Sequence, residues 1–223
     1  MIVAKLKPES ELMPLLLNYS SLLVAGCGGC TSVCYTGGLK ETDELARAIL
    51  RAAKKEKKKI TVHTHVVEQQ CDTVFFEDIE KYAGEVEAIV SLGCGAGVQL
   101  LAEYFPVIPV YPALNTLFTG SSSVPGIFEE RCRSCGDCQL AWTGGICPVT
   151  RCAKGIFNGP CGGSEQGRCE VNPDVACAWC EIYERLEKQG RLDEMLKVKE
   201  PVLWQSSLPG EFSAWERRGG NDK

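Results

Sequence analysis

From residue 20 to about residue 120, apolar runs alternate with stretches of helical period. Ser21, Leu22, Leu23, Val24 and Ala25 make a nearly continuous apolar run that predicts a buried strand. Over residues 41–55, Leu45, Ala48, Ile49 and Ala52 recur at the spacing of one helix face. A second strand is predicted over residues 59–63, helical character over 76–82, a third strand over 87–91, a helix over 97–104 and a last short strand over 107–110. This alternation implies a parallel sheet with helices on its faces. Right-handed crossovers then bring every strand's C-terminal end to one edge of the sheet.

The pattern stops at residue 121. Ser121-Ser122-Ser123-Val124-Pro125-Gly126 has the composition of a linker. Residues 131–180 carry nine cysteines among many glycines and few apolar runs, so this stretch needs cross-links or metals to fold. Residues 178–196 read as an amphipathic helix through Ile182, Leu186, Leu192 and Leu196. The tail over 198–223, with Pro201, Trp204, Pro209, Phe212 and Trp215, shows no period and is either disordered or an arm that lays its aromatics on a partner. The predicted fold class is α/β. It places a Rossmann-like parallel-sheet domain over 1–120, a cysteine-rich, metal-stabilised domain with a C-terminal helix over 121–197, and an extended tail over 198–223.

Composition decides which chemistry such a fold can carry. Of 223 residues, 14 are cysteine and only two are histidine, so rich metal chemistry must rest on sulfur. The net charge of -5 argues against a nucleic-acid binder held by phosphate contacts. Cysteine count alone fits either a disulfide scaffold or an intracellular metal protein. Residues 12–25 are mostly apolar and end in Val24-Ala25-Gly26-Cys27, which looks like a lipoprotein cleavage box. Glu9 and Glu11 in place of a basic leader, and Pro14, Asn18 and Tyr19 inside the apolar stretch, argue against that reading. No run approaches the ~20 apolar residues of a membrane span. A cytoplasmic location follows as the expectation, and there clustered thiols usually mean metal.

Five cysteines belong to the first domain. Cys27, Cys30 and Cys34 directly follow the first strand, Cys71 follows the second, and Cys94 follows the third in Gly93-Cys94-Gly95. In a parallel sheet all five collect at the edge where open α/β sheets hold their ligands. Four converging thiolates suit a [4Fe-4S] cluster or tetrahedral zinc, so five candidates compete for four places. Gly26-x-Gly28-Gly29 resembles a phosphate loop but lacks the full dinucleotide pattern. His63 and His65, two apart on a strand, face one side and are expected to be half-buried, hydrogen-bonded core residues, with membership of a metal shell as the alternative. Lys54, Lys55, Lys57, Lys58 and Lys59 read as a solvated helix end, with docking of an acidic partner as the alternative.

In the second group, Cys132, Cys135 and Cys138 match the first three ligands of a bacterial ferredoxin cluster motif. The fourth ligand is displaced: eight residues intervene before Cys147-Pro148. These four join the first five as cluster candidates, and Cys152, Cys161, Cys169, Cys177 and Cys180 are the metal candidates. Spacing does not separate zinc from a cluster, because both favour soft sulfur ligands.

The strings Thr143-Gly144-Gly145-Ile146-Cys147-Pro148-Val149-Thr150-Arg151-Cys152, Asn158-Gly159-Pro160-Cys161-Gly162-Gly163 and Gly167-Arg168-Cys169-Glu170 resemble the cysteine-rich C-terminal domain of methylenetetrahydrofolate reductases. The Gly26-Cys27-Gly28-Gly29-Cys30 start and Cys94-Gly95-Ala96-Gly97-Val98-Gln99 are similar to the same family's small, MetV-type subunit. That resemblance implies two or more [4Fe-4S] clusters, zinc, and a partner: a flavin-bearing TIM-barrel reductase subunit, with the flavin on the partner only. It also implies a ferredoxin or another donor module, and a role in the methyl branch of one-carbon fixation in anaerobes, the Wood–Ljungdahl pathway. The chain itself shows no flavin, folate or acid–base constellation, which fits a non-catalytic, electron-transfer subunit of an oxidoreductase. The competing reading is a structural zinc adaptor that docks and stabilises the reductase without carrying electrons; a third is a disulfide-stapled exported protein.

Overall fold

In the computed structural model, which describes residues 1–200, the chain opens with β1 (Ile2–Leu6) and α1 (Glu9–Leu16). β2 (Ser21–Cys27) follows, then the single-turn α2 (Cys30–Val33) and α3 (Leu39–Lys55). β3 (Thr61–Val67), α4 (Glu77–Glu80), β4 (Ala88–Ser91), α5 (Gly95–Tyr104) and β5 (Val110–Pro112) complete the alternating part. A long β6 (Leu114–Val124) and β7 (Ile127–Cys132) come next, and then the short α6 (Pro148–Arg151) and α7 (Ala178–Lys188). By contacts the chain divides into two compact units, Met1–Arg133 and a second beginning at Ser134.

The first unit contains the expected parallel sheet, in the order β3-β2-β4-β5, with every pair parallel. β2 lies between β3 and β4 and is buried along its length from Leu22 to Cys27, which is why it reads as one apolar run. Each face of the sheet carries a core. On one, Leu12 and Leu16 of α1 and Leu45, Ala48 and Ile49 of α3 pack against Leu22, Val24 and Val90. On the other, Phe76, Ile79, Leu101 and Phe105 pack against Leu23, Ala25 and Ile89. The chain passes from β2 to β3 on one side and then from β3 back across β2 to β4 on the other, so the switch of strand order falls between the C-terminal ends of β2 and β4, where such sheets open a crevice.

Several expected bounds shift for physical reasons. The second strand runs over Thr61–Val67 rather than 59–63, because Lys57 turns the chain with a φ of 56° and Lys58 Nζ reaches back to the carbonyl of Leu17 at 2.9 Å. The helical stretch over 76–82 is a single turn held by the buried Phe76 and Ile79, and the last parallel strand begins at Val110 rather than 107. Residues 121–126, expected to be a linker, instead close a hairpin. β6 continues through Val124, the chain turns at Pro125 and Gly126 (φ 81°), and β7 pairs back. β6 also pairs antiparallel with β1, so a second sheet, β1-β6-β7, joins the N-terminus to this hairpin.

The second unit has one apolar core among its described residues: Ile146, Cys177, Trp179, Ile182 and Leu186, flanked by Cys152, Cys180, Leu192 and Met195. The helix expected over 178–196 ends at Lys188. Gly190 takes a φ of 65°, and Leu192–Leu196 forms a separate 3-10 turn that leaves Leu196 exposed. The tail expected over 198–223 lies outside the described residues from 201 onward.

Candidate metal centre

Three loops leave the C-terminal ends of β2, β3 and β4, and each carries cysteine. Cys27 is the last residue of β2 and is buried; Cys30 opens α2; Cys71 follows β3; Cys94 stands immediately before α5 as its N-cap. Gly28 is held against β3 by a bond from its N–H to the Val67 carbonyl at 2.8 Å, and the Cys27 sulfur points the same way, 4.0 Å from the Glu68 carbonyl.

The Cys71 thiol lies within electrostatic reach of the other three. Cys71 is exposed as a residue, yet loss of hydration at its sulfur pushes its thiol up, and the charges of Cys94, Cys27 and Cys30 push it further. Like charges gathered at one place oppose their common ionisation, and a bound cation relieves that opposition. Cys94, as the N-cap of the ten-residue α5, stands at that helix's N-terminal end. The donor set therefore fits a thiophilic metal centre. Cys34 faces elsewhere: it is buried, with its sulfur 3.2 Å from Thr36 Oγ1, 3.5 Å from the Thr31 carbonyl and 3.9 Å from the Ala4 carbonyl. Among the described residues, no group of three or more His, Cys, Asp or Glu side chains stands arranged to hold a single metal ion.

Two buried polar side chains that the sequence reading passed over hold these loops. The Thr31 hydroxyl donates to the Leu92 carbonyl at 2.9 Å and ties α2 to the end of β4. Gly37 lies so close that a Cβ there would stand 2.1 Å from Thr31 Oγ1 and 2.4 Å from the Leu92 carbonyl. Gln70, 1% exposed, spans β2 and β4 through its amide. The signals for them were indirect: glycines at 37, 93 and 97, where neighbouring side chains leave no space for a Cβ.

His63 and His65 do share one side of β3, both against the ring of Tyr82, with centroids 5.5 and 6.0 Å away. His65 Nε2 lies 3.7 Å from an Asp78 carboxylate oxygen. Neither histidine is among the groups that act on Cys71.

In the second unit the cysteines also draw together. Cys152, Cys161, Cys169 and Cys177 line one small cavity. Cys177 caps α7. Burial opposes its ionisation most strongly, but the N–H groups of Cys180 and Trp179, with the side chains of Cys180 and Ser164, outweigh it and hold its thiol below the usual range. Cys180, whose sulfur lies 3.4 Å from Ser164 Oγ, moves the other way: Ser164 favours its thiolate, but burial and the neighbouring Cys177 charge push it up. Beside the cavity, Lys154 pairs with Glu170, which accepts from Cys161 Sγ at 3.3 Å. Cys132 ends β7 in the first unit, while Cys135 and Cys138 open the second, and Cys147 caps α6.

The chain is thus a mixed α/β protein with a parallel and an antiparallel sheet, and it is rich in cysteine in both units. Residues 111–205, which run from β5 through the hairpin into the second unit, match the family described as methylene-tetrahydrofolate reductase C terminal. No curated protein and no solved structure matches the chain. No helix among the described residues is long and apolar enough to cross a membrane.

Proposed function

We propose that this chain is the electron-transfer subunit of a methylenetetrahydrofolate reductase complex, of the MetV type. It would serve a flavin-bearing partner subunit that reduces methylenetetrahydrofolate to methyltetrahydrofolate, with ferredoxin or a similar module as donor. The observation that carries this reading is the placement of Cys27, Cys30, Cys71 and Cys94 on the loops at the C-terminal ends of three parallel strands, in a chain whose residues 111–205 match the reductase C-terminal family.

Cys27, Cys30, Cys71 and Cys94 would hold a [4Fe-4S] cluster, and Cys34 would not. Four thiols on separate strand-end loops suit the four-thiolate ligation of such a cluster. When bound, such a cluster supplies one-electron transfer. The protein's part would be to hold four sulfurs on its strand-end loops, with Cys27 buried and Cys94 at the start of α5. Cys132 at the end of β7, and Cys135, Cys138 and Cys147 in the second unit, are further candidate cluster ligands by their spacing. Cys152, Cys161, Cys169, Cys177 and Cys180 would hold zinc or a cluster that keeps the fold.

The zinc-adaptor reading is favoured by one observation, the small core of the second unit. Anaerobic purification with its partner separates the two. Electron transfer requires a brown chain with iron and inorganic sulfide in cluster proportion, and Cys71→Ser should remove one component of the reduced EPR spectrum while the far-UV dichroism stays unchanged. A colourless chain holding zinc alone would establish the adaptor instead.

A further inference from the structure

The Gln70 amide stands where the three cysteine-bearing loops meet. β3 stays paired with β2 as far as Cys27, but β4 leaves it after the Ala25 and Ser91 pair. Gln70 fills the gap. Its Nε2 donates to the carbonyls of Ala25 at 2.8 Å and Gly26 at 2.9 Å, and its Oε1 accepts from Ser91 Oγ at 2.5 Å. Ser91 Oγ in turn accepts from the N–H of Gly93 at 3.1 Å. Each end of this chain of bonds adjoins a thiol of the quartet. Gly26 precedes Cys27, Gln70 itself precedes Cys71, and Gly93 precedes Cys94.

Space around the amide is fully taken. A Cβ at Gly93 would come 2.4 Å from Gln70 Oε1, and one at Gly97, inside α5, would come 2.7 Å from Gln70 Cβ. Both glycines let α5 and its capping Cys94 approach Gln70 closely. A buried carboxamide with both donors engaged has one orientation available to it, so it fixes the loops rather than following them.

We infer that Gln70 is a positioning residue for the metal centre: through Gly26, Ser91 and Gly93 it sets the separation of Cys27, Cys71 and Cys94. The inference rests on the cluster reading above. It requires that loss of the amide loosen the cluster without dismantling the sheet, whose two apolar cores do not include Gln70.

The test uses the full chain, purified anaerobically, with two readouts: the EPR component that Cys71→Ser removes, and the rate at which a ferrous chelator takes iron from that centre. Gln70→Ala should broaden or abolish the component and speed iron release by about tenfold or more, the usual scale for lost outer-shell partners. Ser91→Ala, which removes one link, should move both readouts the same way and less far. Ile49→Ala, a core truncation in the sheet's other layer, is the control for general destabilisation. It should lower the melting temperature and leave the component and the release rate as in the wild type. The inference is overturned if Gln70→Ala keeps the wild-type spectrum and release rate, or if Ile49→Ala reproduces its changes. Should Gln70→Ala fail to fold, wild-type behaviour of Ser91→Ala overturns it. If Cys71→Ser removes no component at all, the cluster reading itself has failed.

Discussion

Cys30 and Cys34 lie on one short stretch of chain, four residues apart, yet only Cys30 joins the thiols that act on Cys71. The turn between them decides this. Thr31 is pinned to Leu92 and accepts from the N–H groups of Thr36 and Gly37 at 2.9 and 3.0 Å. Tyr35 takes a φ of 59°, and the chain folds Cys34 inward toward Ala4. Spacing alone treats Cys27, Cys30 and Cys34 alike, so the sequence could gather five thiols at the edge and could not dismiss one. Gln70 was illegible for a similar reason: a glutamine between Gln69 and Cys71, past the end of β3, has no periodicity that marks it as buried. Cys34→Ala is therefore expected to keep the full complement of iron and sulfide and an unchanged EPR spectrum. It should cost about 1 kcal/mol of stability in denaturant unfolding, as for an ordinary buried truncation. Loss of a cluster component in that variant would place Cys34 among the ligands.

Element by element, what the sequence disclosed follows burial. β2 and α3 were legible because one is buried on both faces and the other along a clean stripe. β6 and β7 were not, because most of β6 faces solvent, its serines resemble a linker, and no alternation survives. The amphipathic period ran past the real end of α7 because Leu192 still packs on the core after Gly190 has broken the helix. At α4, only one turn long, side chains supply what length does not. Asp78 bonds Lys81 and approaches His65 of β3. The hydrogen bond from Lys81, then its charge, hold the Asp78 carboxyl below its ordinary range, and His65 adds in the same direction. The folded pKa is thus lower than the unfolded one. Its contribution is present above the ordinary aspartate value of about 3.9 and is lost as pH falls through the depressed folded value. Asp78→Asn should melt slightly below the wild type at pH 7, a small difference because the pair is exposed. Thermal melts of both chains, compared at each pH from neutral downward, should converge once the carboxylate is protonated.

At the scale of the molecule, the two units draw their stability from different sources. The first has a sheet with an apolar core on each face and holds its thiols at the strand ends, outside those cores. In the second, cysteine is part of the core itself: Cys177 is buried within it, and Cys152 and Cys180 pack against it beside Ile182 and Leu186. A sulfur that is at once a ligand candidate and a packing element couples metal to folding, because removing the metal leaves those thiols buried without the partner that balances them. The partition of cysteines between a strand-edge site and a core-poor segment was readable from their order along the chain, but this dual role was not, since it depends on α7 bringing Cys177 and Cys180 back to Cys152. Stripping metal from the anaerobic chain should therefore act unequally. Limited proteolysis is expected to cut within residues 134–200 while a fragment close to Met1–Arg133 persists. Cys177→Ala should reproduce that pattern without any chelator. Cys94→Ala, in the first unit, should instead lose a cluster component and leave residues 134–200 as resistant as before. Equal resistance of both units after stripping would mean that Ile146, Trp179, Ile182 and Leu186 hold the second unit alone, and that its sulfurs serve only as ligands.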